Sequence, residues 1–511
     1  MYRKAVDEIS MFRLSSFLII ISLVILGGCK SGFLNSDNIA NSQNQQPTQQ
    51  APVVVDGVRT SYADIVQKSS PAVVRIAAER KSQSSPQGQF PFGDLFRDFF
   101  PGMPQQQQRP RTERGVGSGV IVNADGTILT NYHVVEGAEK LTIQMENNKT
   151  YPAKMIGSDE PSDLAVLKIE GTESNFTFLN LGDSNQVRVG DIVLAIGNPL
   201  GIGQTVTAGI ISAKGRQTGL SDGTSFQDFL QTDAPINRGN SGGALVNVNG
   251  ELIGINSQII SDSGGGGNIG IGFAIPSNMA KSVMEQLLKE GKVRRGMLGV
   301  GIQDVTEDVA KSLELKEAKG VLVNKVSSGS AAEKGGIKTG DIITAINGEP
   351  TDDSNILRNK VAGTTPGTQI KVTVFRSGKT EELNITLDEY NVESIKNNSQ
   401  RKNDKDNNDN NNESENKGGK LGLTLRPLTS DIARELDLPS DTKGLVVENV
   451  DPSGPAADQE IVRGDVVLEI NREPVKTNDE AQAAIEKSGT KPVLFLITRR
   501  GQTRYVTVTP R

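Results

Sequence analysis

The sequence predicts a multi-domain, mostly β protein, and three observations carry that expectation. Short apolar runs alternate with Gly, Asn and Asp turns from residue 115 to 276, the pattern of a barrel or sandwich of many short strands. A set of sequence blocks beginning at Gly320 recurs from Gly444 onward, so one unit is used twice in the C-terminal part. Between the copies, residues 391–419 are a run of Asn, Asp, Lys and Glu with almost no apolar side chains, which cannot bury a core and reads as a solvated linker. The chain has 511 residues, too many for one compact core and suited to three or four domains. Its 55 glycines and its apolar content of 35% fit a turn-rich β protein.

The N-terminus reads as an export signal. Arg13 precedes an apolar run from Phe17 to Leu26; this is short of the about 20 residues a spanning helix needs but suits a secretory leader. Leu26-Gly27-Gly28-Cys29 resembles a bacterial lipobox, in which cleavage leaves Cys29 as a lipidated N-terminus. A leader that happens to end in Cys would look the same. Met11 is an alternative start to Met1, because Asp7 and Glu8 are out of place in a positive leader. On this reading residues 1–29 are removed or anchored. Residues 30–60, rich in Asn, Gln, Ser and Pro, form a flexible tether.

The first folded unit is expected over residues 61–290. Residues 61–80 read as a helix followed by a strand. Residues 81–114 are a long insertion holding five of the 15 Phe, between Phe90 and Phe100, and then four consecutive Gln. Phe92, Phe96, Phe99 and Phe100 have helical spacing, so the insertion is either disordered or a segment that docks on another subunit. Strands follow at Val120–Val122, Ile128–Leu129, Leu164–Ile169, Ile192–Ile196, Leu252–Ile255 and Ile271–Ile275. A helix opens at Pro276-Ser277, with Met279, Val283, Leu287 and Leu288 on one face and Gly291 as its stop. The repeated units occupy 291–390 and 420–511. Gly320-Val321-Leu322-Val323, Gly340-Asp341-Ile342-Ile343 and Asn347-Gly348 in the first match Gly444-Leu445-Val446-Val447, Gly464-Asp465-Val466-Val467 and Asn471-Arg472 in the second.

Chemistry is concentrated in three short segments. Gly239-Asn240-Ser241-Gly242-Gly243 offers a serine flanked by glycines, which permit a tight backbone and leave room for a substrate. The segment Gly239, Asn240, Ser241 would form an oxyanion hole, with the N–H groups of Gly239 and Ser241 as donors. An ordinary Gly-rich hairpin has the same composition, as Gly264–Gly267 shows. A serine nucleophile needs a base, and His133 is the one histidine in the chain. It follows a strand in Thr130-Asn131-Tyr132-His133-Val134-Val135. Asp163, directly before an alternating strand, is the best candidate to orient the imidazole, with Asp159 and Asp191 as rivals.

The order His133, Asp163, Ser241 is that of two-barrel proteases. Together, Thr130–Val135, Asp163–Lys168 and Gly239–Leu245 resemble the HtrA (Deg, or protease Do) family over roughly residues 60–511, closest to its DegP/DegQ type. The resemblance implies a trypsin-like double β-barrel followed by two PDZ domains of α+β type. It implies ATP-independent serine endopeptidase activity on unfolded or misfolded exported proteins, with chaperone activity. It also implies cleavage after small aliphatic residues through a pocket of Ile236, Ile259 and Ile260, and assembly into homotrimers or multiples of trimers. The peptide-carboxylate loop of the first PDZ domain would be Gly296, Met297, Leu298, Gly299 and Val300, with Lys420-Leu421-Gly422-Leu423 as its counterpart. Chain ends captured there would be hydrophobic C-terminal peptides. The first PDZ domain should deliver substrate, and the second, beyond its long linker, should be only loosely restrained.

Other classes find less support. A net charge of −6 without a basic stripe argues against a nucleic-acid partner. One His and one Cys exclude a metal site built from those residues, and no cofactor is expected. A scaffold with a dead active site conflicts with three filled catalytic positions. A dedicated signalling protease is less consistent with the long insertion. The expected location is the periplasm, with the lipid anchor in the outer membrane.

Overall fold

The computed structural model describes residues 54–55, 58–81, 112–198, 203–218, 225–237, 239–259, 268–390 and 420–510. Cys29, the tether, most of the Phe-rich insertion and the polar linker lie outside the described residues. No helix among the described residues is long and apolar enough to cross a membrane.

Helix α1 (Ala63–Ser69) leads into the first barrel, as the sequence predicts. Its strands are β1 (Val73–Lys81), β2 (Thr112–Asn123), β3 (Thr127–Thr130), β4 (Lys140–Gln144), β5 (Thr150–Asp159) and β6 (Leu164–Ile169), closed in the order β1-β2-β3-β6-β5-β4. The four-residue helix α2 (Tyr132–Val135) follows β3. The second barrel comprises β7 (Ile192–Gly197), β8 (Thr205–Arg216), β9 (Phe229–Thr232), β10 (Ala244–Asn247), β11 (Leu252–Ile259) and β12 (Gly272–Pro276). Its order, β7-β8-β9-β12-β11-β10, repeats that of the first.

The unbroken apolar runs have a physical reason. Successive side chains on a strand face opposite ways, and here both faces are covered. Ile121, Ile128 and Leu167 point into the first barrel beside Ile76 and Ile143. Their neighbours Val120, Leu129 and Val166 point outward, into a shared core with Leu194, Ile196, Phe229, Ile255 and Phe273 of the second barrel. Helix α3 (Ser277–Glu290) closes that core with Ala280, Val283 and Leu287, and stops at Gly291. Leu288, expected on the same face, is instead 49% exposed, because one residue beyond Leu287 turns it about 100° around the axis.

The two repeated units share one topology. In the first, strands Val300–Asp304, Val321–Val326, Ile342–Ile346, Gln369–Arg376 and Lys379–Thr386 pair in that order, with helix α4 (Ser354–Gly363) against them. In the second, Leu423–Pro427, Leu445–Val450, Val466–Ile470, Val493–Arg499 and Gln502–Val508 pair likewise, with helix α5 (Asn478–Ser488). The recurring Gly-Asp step explains itself. Asp341 and Asp465 are buried, and each is gripped by an arginine, Arg376 and Arg499. Each arginine also donates to a backbone carbonyl, of Gly336 or of Glu460. Gly336 and Glu460 both lie in the left-handed region, at φ 84° and 57°. Replacement of Gly335-Gly336 by Gln459-Glu460 therefore leaves this backbone unchanged.

The first unit is joined to the barrels by a buried ion pair. Arg295 Nη1 donates to Asp159 Oδ1 at 2.7 Å, and its guanidinium lies 4.6 Å from the centre of the Phe226 ring. Asn355 and Asn359 of α4 donate to the carbonyls of Gly215 and Gln227. The second unit is not loosely placed, contrary to the expectation from its linker. Its Leu494, Leu496 and Tyr505 pack on Val305, Val309, Leu322 and Ile342 of the first. The Gln303 amide pairs in both directions with the Tyr505 backbone, at 2.7 and 3.1 Å. Burial of this apolar patch outweighs the freedom that the linker would permit.

Removing Asp341 should expose the weight of the repeated pair. Deleting one partner of a buried ion pair typically costs about 3–5 kcal/mol, and the partial exposure of Arg376 puts the expected loss at the lower end. In scanning calorimetry of the full chain, Asp341→Ala should lower the transition of the first repeated unit and leave that of the double barrel in place. An unchanged thermogram would refute the assignment.

Candidate active site

The site lies where the two barrels meet, and each side chain is delivered by a strand end. Strand β3 ends at Thr130, and α2 then presents His133. Asp163 sits one residue before β6, in the left-handed conformation (φ 53°, ψ 42°), which Asp tolerates better than most residues. The turn before it is set by Asp159, whose carboxylate accepts from the backbone N–H of Ser162 at 3.1 Å, and by the Asp163 N–H bonded to the Glu160 carbonyl at 3.0 Å.

This placement aims Asp163 at His133. The imidazole Nδ1 is 2.9 Å from both carboxylate oxygens. The backbone N–H of His133 donates to Asp163 Oδ1 at 3.1 Å. The Asp163 carbonyl in turn accepts from Tyr132 N and from Asn131 Nδ2, each at 3.1 Å. The carboxylate thus fixes the ring's tautomer, with the proton on Nδ1, and leaves Nε2 free to accept. Ser257 of β11 donates its hydroxyl to Asp163 Oδ2 at 3.0 Å, a contact not legible in the sequence because 94 residues separate the partners. The rival aspartates have other work. Asp159 binds Arg295, and Asp191 binds its own loop through Arg188.

Burial of the imidazole is the largest influence on it and disfavours its cation, but the charge and hydrogen bond of Asp163 together prevail. The His133 pKa is raised above its ordinary value. The ion pair therefore stabilises the fold below the unfolded-state pKa, and that contribution is lost as pH rises through the folded-state pKa.

Ser241 precedes β10 on the opposite barrel. Its carbonyl accepts from the Ser118 N–H of β2 at 2.8 Å, and the next N–H, of Gly242, donates to Asn256 of β11 at 2.8 Å. Among the described residues no hydrogen bond joins the Ser241 hydroxyl to the imidazole. Such bonds are commonly long in ligand-free enzymes and tighten on substrate. The Asn240 N–H donates to the Asn237 carbonyl at 3.0 Å, so Asn240 is not an oxyanion donor and its place in that set is corrected. Among the described residues the N–H groups of Gly239 and Ser241 have no acceptor, which leaves both available.

The remaining expected residues are placed less directly. Ile236 is 1% exposed and packs in the second barrel's core beside Ile211, Leu230 and Ala274. Ile259 ends β11 opposite Gly272, and Ile260 falls outside the described residues. In the first repeated unit, Gly299 is left-handed (φ 77°) and its carbonyl accepts from Ser327 N, while Leu298 is buried and its carbonyl accepts from Ala332 N. Gly296 pairs with Glu389, and Met297 with Asp388. Val300 opens an edge strand. The second unit repeats the loop: Gly422 is left-handed (φ 72°), and Leu421 and Gly422 accept from Ala456 N and Asp451 N. The left-handed glycine and the two carbonyl contacts beside it therefore recur in both loops. Among the described residues no cluster of His, Cys, Asp and Glu could hold a metal ion.

Comparison with known proteins agrees with this geometry. Residues 117–255 match the trypsin-like peptidase domain family, and residues 296–387 and 419–509 each match the PDZ domain family. A relative from Brucella suis named "Probable periplasmic serine endoprotease DegP-like" is 40% identical over 487 residues, covering 88% of this chain and 89% of its own. A Rhizobium meliloti relative of the same name is 39% identical over 504 residues, covering 92% and 94%. The solved structure of "HtrA-type protease AlgW with tripeptide" is 40% identical, with a TM-score of 0.52, and covers 65% of this chain and 98% of its own. With the peptidase domain and both PDZ domains matched and these relatives 39–40% identical over most of the chain, the chain belongs to the HtrA family of serine endoproteases.

Proposed function

We propose that this serine protease degrades unfolded or misfolded exported proteins without ATP, that Ser241 is its nucleophile, and that it also acts as a chaperone. The observation that carries the site is the contact of His133 Nδ1 with both oxygens of Asp163, in the barrel whose strand β2 hydrogen-bonds the loop that carries Ser241. His133 Nε2 takes the Ser241 proton as Oγ attacks the scissile carbonyl. The oxyanion is received by the N–H groups of Gly239 and Ser241. The imidazolium, held by Asp163, then protonates the leaving amine, and water completes hydrolysis by the reverse route.

The specificity we assign is for small aliphatic residues, with Ile236, Ile259 and Ile260 as pocket residues; Ile236 lies five positions before Ser241, and its environment is apolar. The strands Val300–Asp304 and Leu423–Pro427 each terminate their sheets, so a hydrophobic chain end can add as a further strand, its carboxylate received by the loop at Gly296–Val300 or at Lys420–Leu423. The periplasmic naming of the relatives supports an envelope location, and Cys29 would supply a lipid anchor to the outer membrane. Trimers, or multiples of trimers, are the assembly this reading implies.

Casein digestion tests the core of the reading. Ser241→Ala should lower kcat by about 10⁴- to 10⁶-fold while leaving the thermal transition and casein binding unchanged; near-wild-type digestion would overturn the assignment. The acid limb of kcat/KM should show one ionisation, because the base must be neutral and His133 is the sole histidine. Its pKa is raised, so the limb should lie above the about 6.5 of an unperturbed histidine, at constant oligomeric state. A midpoint below that value, or two acid-side ionisations, would contradict the geometry.

A further inference from the structure

Ser118 lies in β2 of the first barrel, is 0% exposed, and yet every polar group it carries is directed at the nucleophile loop or its support. Its backbone N–H donates to the Ser241 carbonyl at 2.8 Å. Its hydroxyl donates to the Gly239 carbonyl at 2.5 Å. The same oxygen accepts from the Asn198 N–H at 2.8 Å, which occupies a lone pair and leaves the single hydroxyl proton for Gly239. Its carbonyl accepts from Thr130 Oγ1 at 2.7 Å, three residues before His133.

The Gly239 carbonyl belongs to the peptide joining residues 239 and 240. The other end of that peptide, the Asn240 N–H, is held by the Asn237 carbonyl. This peptide stands between the two that carry the available N–H groups, those of Gly239 and Ser241. Clamped at its oxygen by Ser118 and at its nitrogen by Asn237, it cannot rotate without breaking a hydrogen bond at either end, and so it fixes the spacing and direction of both donors. Gly239 itself is left-handed (φ 91°) and has no side chain to resist such a rotation, so the restraint has to come from these partners.

We propose that Ser118 is a positioning residue for the oxyanion hole, its hydroxyl clamping the 239–240 peptide between the two donor N–H groups. This rests on the reading of Ser241 as nucleophile. Oxyanion donors act because they are already aimed when charge develops. Loss of the clamp should therefore weaken binding of the tetrahedral state more than binding of the substrate, and appear in kcat rather than KM.

The test uses the full chain with Ser118→Ala, Ser118→Gly, Ser118→Cys and Ser241→Ala, a chromogenic peptide substrate, and a peptidyl boronate of the same sequence. The boronate's trigonal boron takes the Ser241 Oγ electron pair, the serine proton passes to His133, and one boron oxygen enters the hole. For folded Ser118→Ala, kcat should fall about 10- to 100-fold, short of the 100- to 1,000-fold of deleting a donor outright. KM should stay within about twofold, and boronate affinity should weaken by the factor lost in kcat/KM. Ser118→Cys, which keeps a weaker donor, should fall between Ala and wild type. A folded Ser118→Ala with kcat within about twofold of wild type, or with unchanged boronate affinity, overturns the proposal; if Ala fails to fold, the same two outcomes in Ser118→Gly, which also lacks the hydroxyl, decide it. Hydrolysis persisting in Ser241→Ala would instead sink the reading of the site itself.

Discussion

A Cβ on Gly242 would lie 2.1 Å from the Ser118 carbonyl oxygen and 2.4 Å from Thr130 Oγ1, and one on Gly243 would lie 2.2 Å from the Ile196 carbonyl oxygen. At Gly242 the two barrels meet at backbone contact distance, at Gly243 the loop meets β7 of its own barrel, and only glycine fits at either position. That closeness allows one strand of the first barrel to hydrogen-bond the loop of the second that carries Ser241. It also lets Ser257 reach across to Asp163. Both halves of the site depend on the apolar core between the barrels, where Val120, Leu129 and Val166 meet Ile196, Phe229 and Ile255. A packed interior transmits displacement because it has few voids to absorb it.

Asp163 shows how a single residue can serve two elements. Its side chain sets the imidazole, while its carbonyl caps the start of α2 through Tyr132 N and Asn131 Nδ2. Its left-handed backbone follows from a turn that Asp159 organises, and Asp159 is bound by Arg295 of the first PDZ domain. Arg295, next to Gly296, is thus two ionic and hydrogen-bonded contacts from the turn that carries Asp163.

Much of this could be read from the chain before folding. The helix at Ala63–Ser69, seven of the twelve barrel strands, the stop at Gly291 and the doubled C-terminal unit follow from local pattern, whereas Lys140–Gln144, Thr150–Asp159, Thr205–Arg216, Phe229–Thr232 and Ala244–Asn247 did not stand out as strands. His133 stood out because no other histidine competes with it, and Asp163 because a strand begins directly after it. What was not legible depends on pairings distant in sequence. Ser118 is an unremarked strand residue until β2 is laid against the loop at Ser241. Arg295 reads as part of a PDZ loop until its guanidinium is found in the protease domain. The docking of the second PDZ domain rests on Leu494, Leu496 and Tyr505, whose positions look like ordinary core positions of a strand. Composition of the linker speaks to its own solvation and says nothing of whether the domain it carries has a binding face.

The solitary imidazole also offers a spectroscopic probe. Isotope labelling of histidine alone would place a single spin system in the whole chain, at the junction of the two barrels, with its Nδ1 proton held between two carboxylate oxygens. That proton's chemical shift reports directly on the carboxylate contact, and the Nε2 shift on whatever approaches from the serine side. An assembly of any number of identical subunits would still give one signal when all cleft conformations are equivalent. Splitting of that signal would count the distinct cleft conformations present in the assembly.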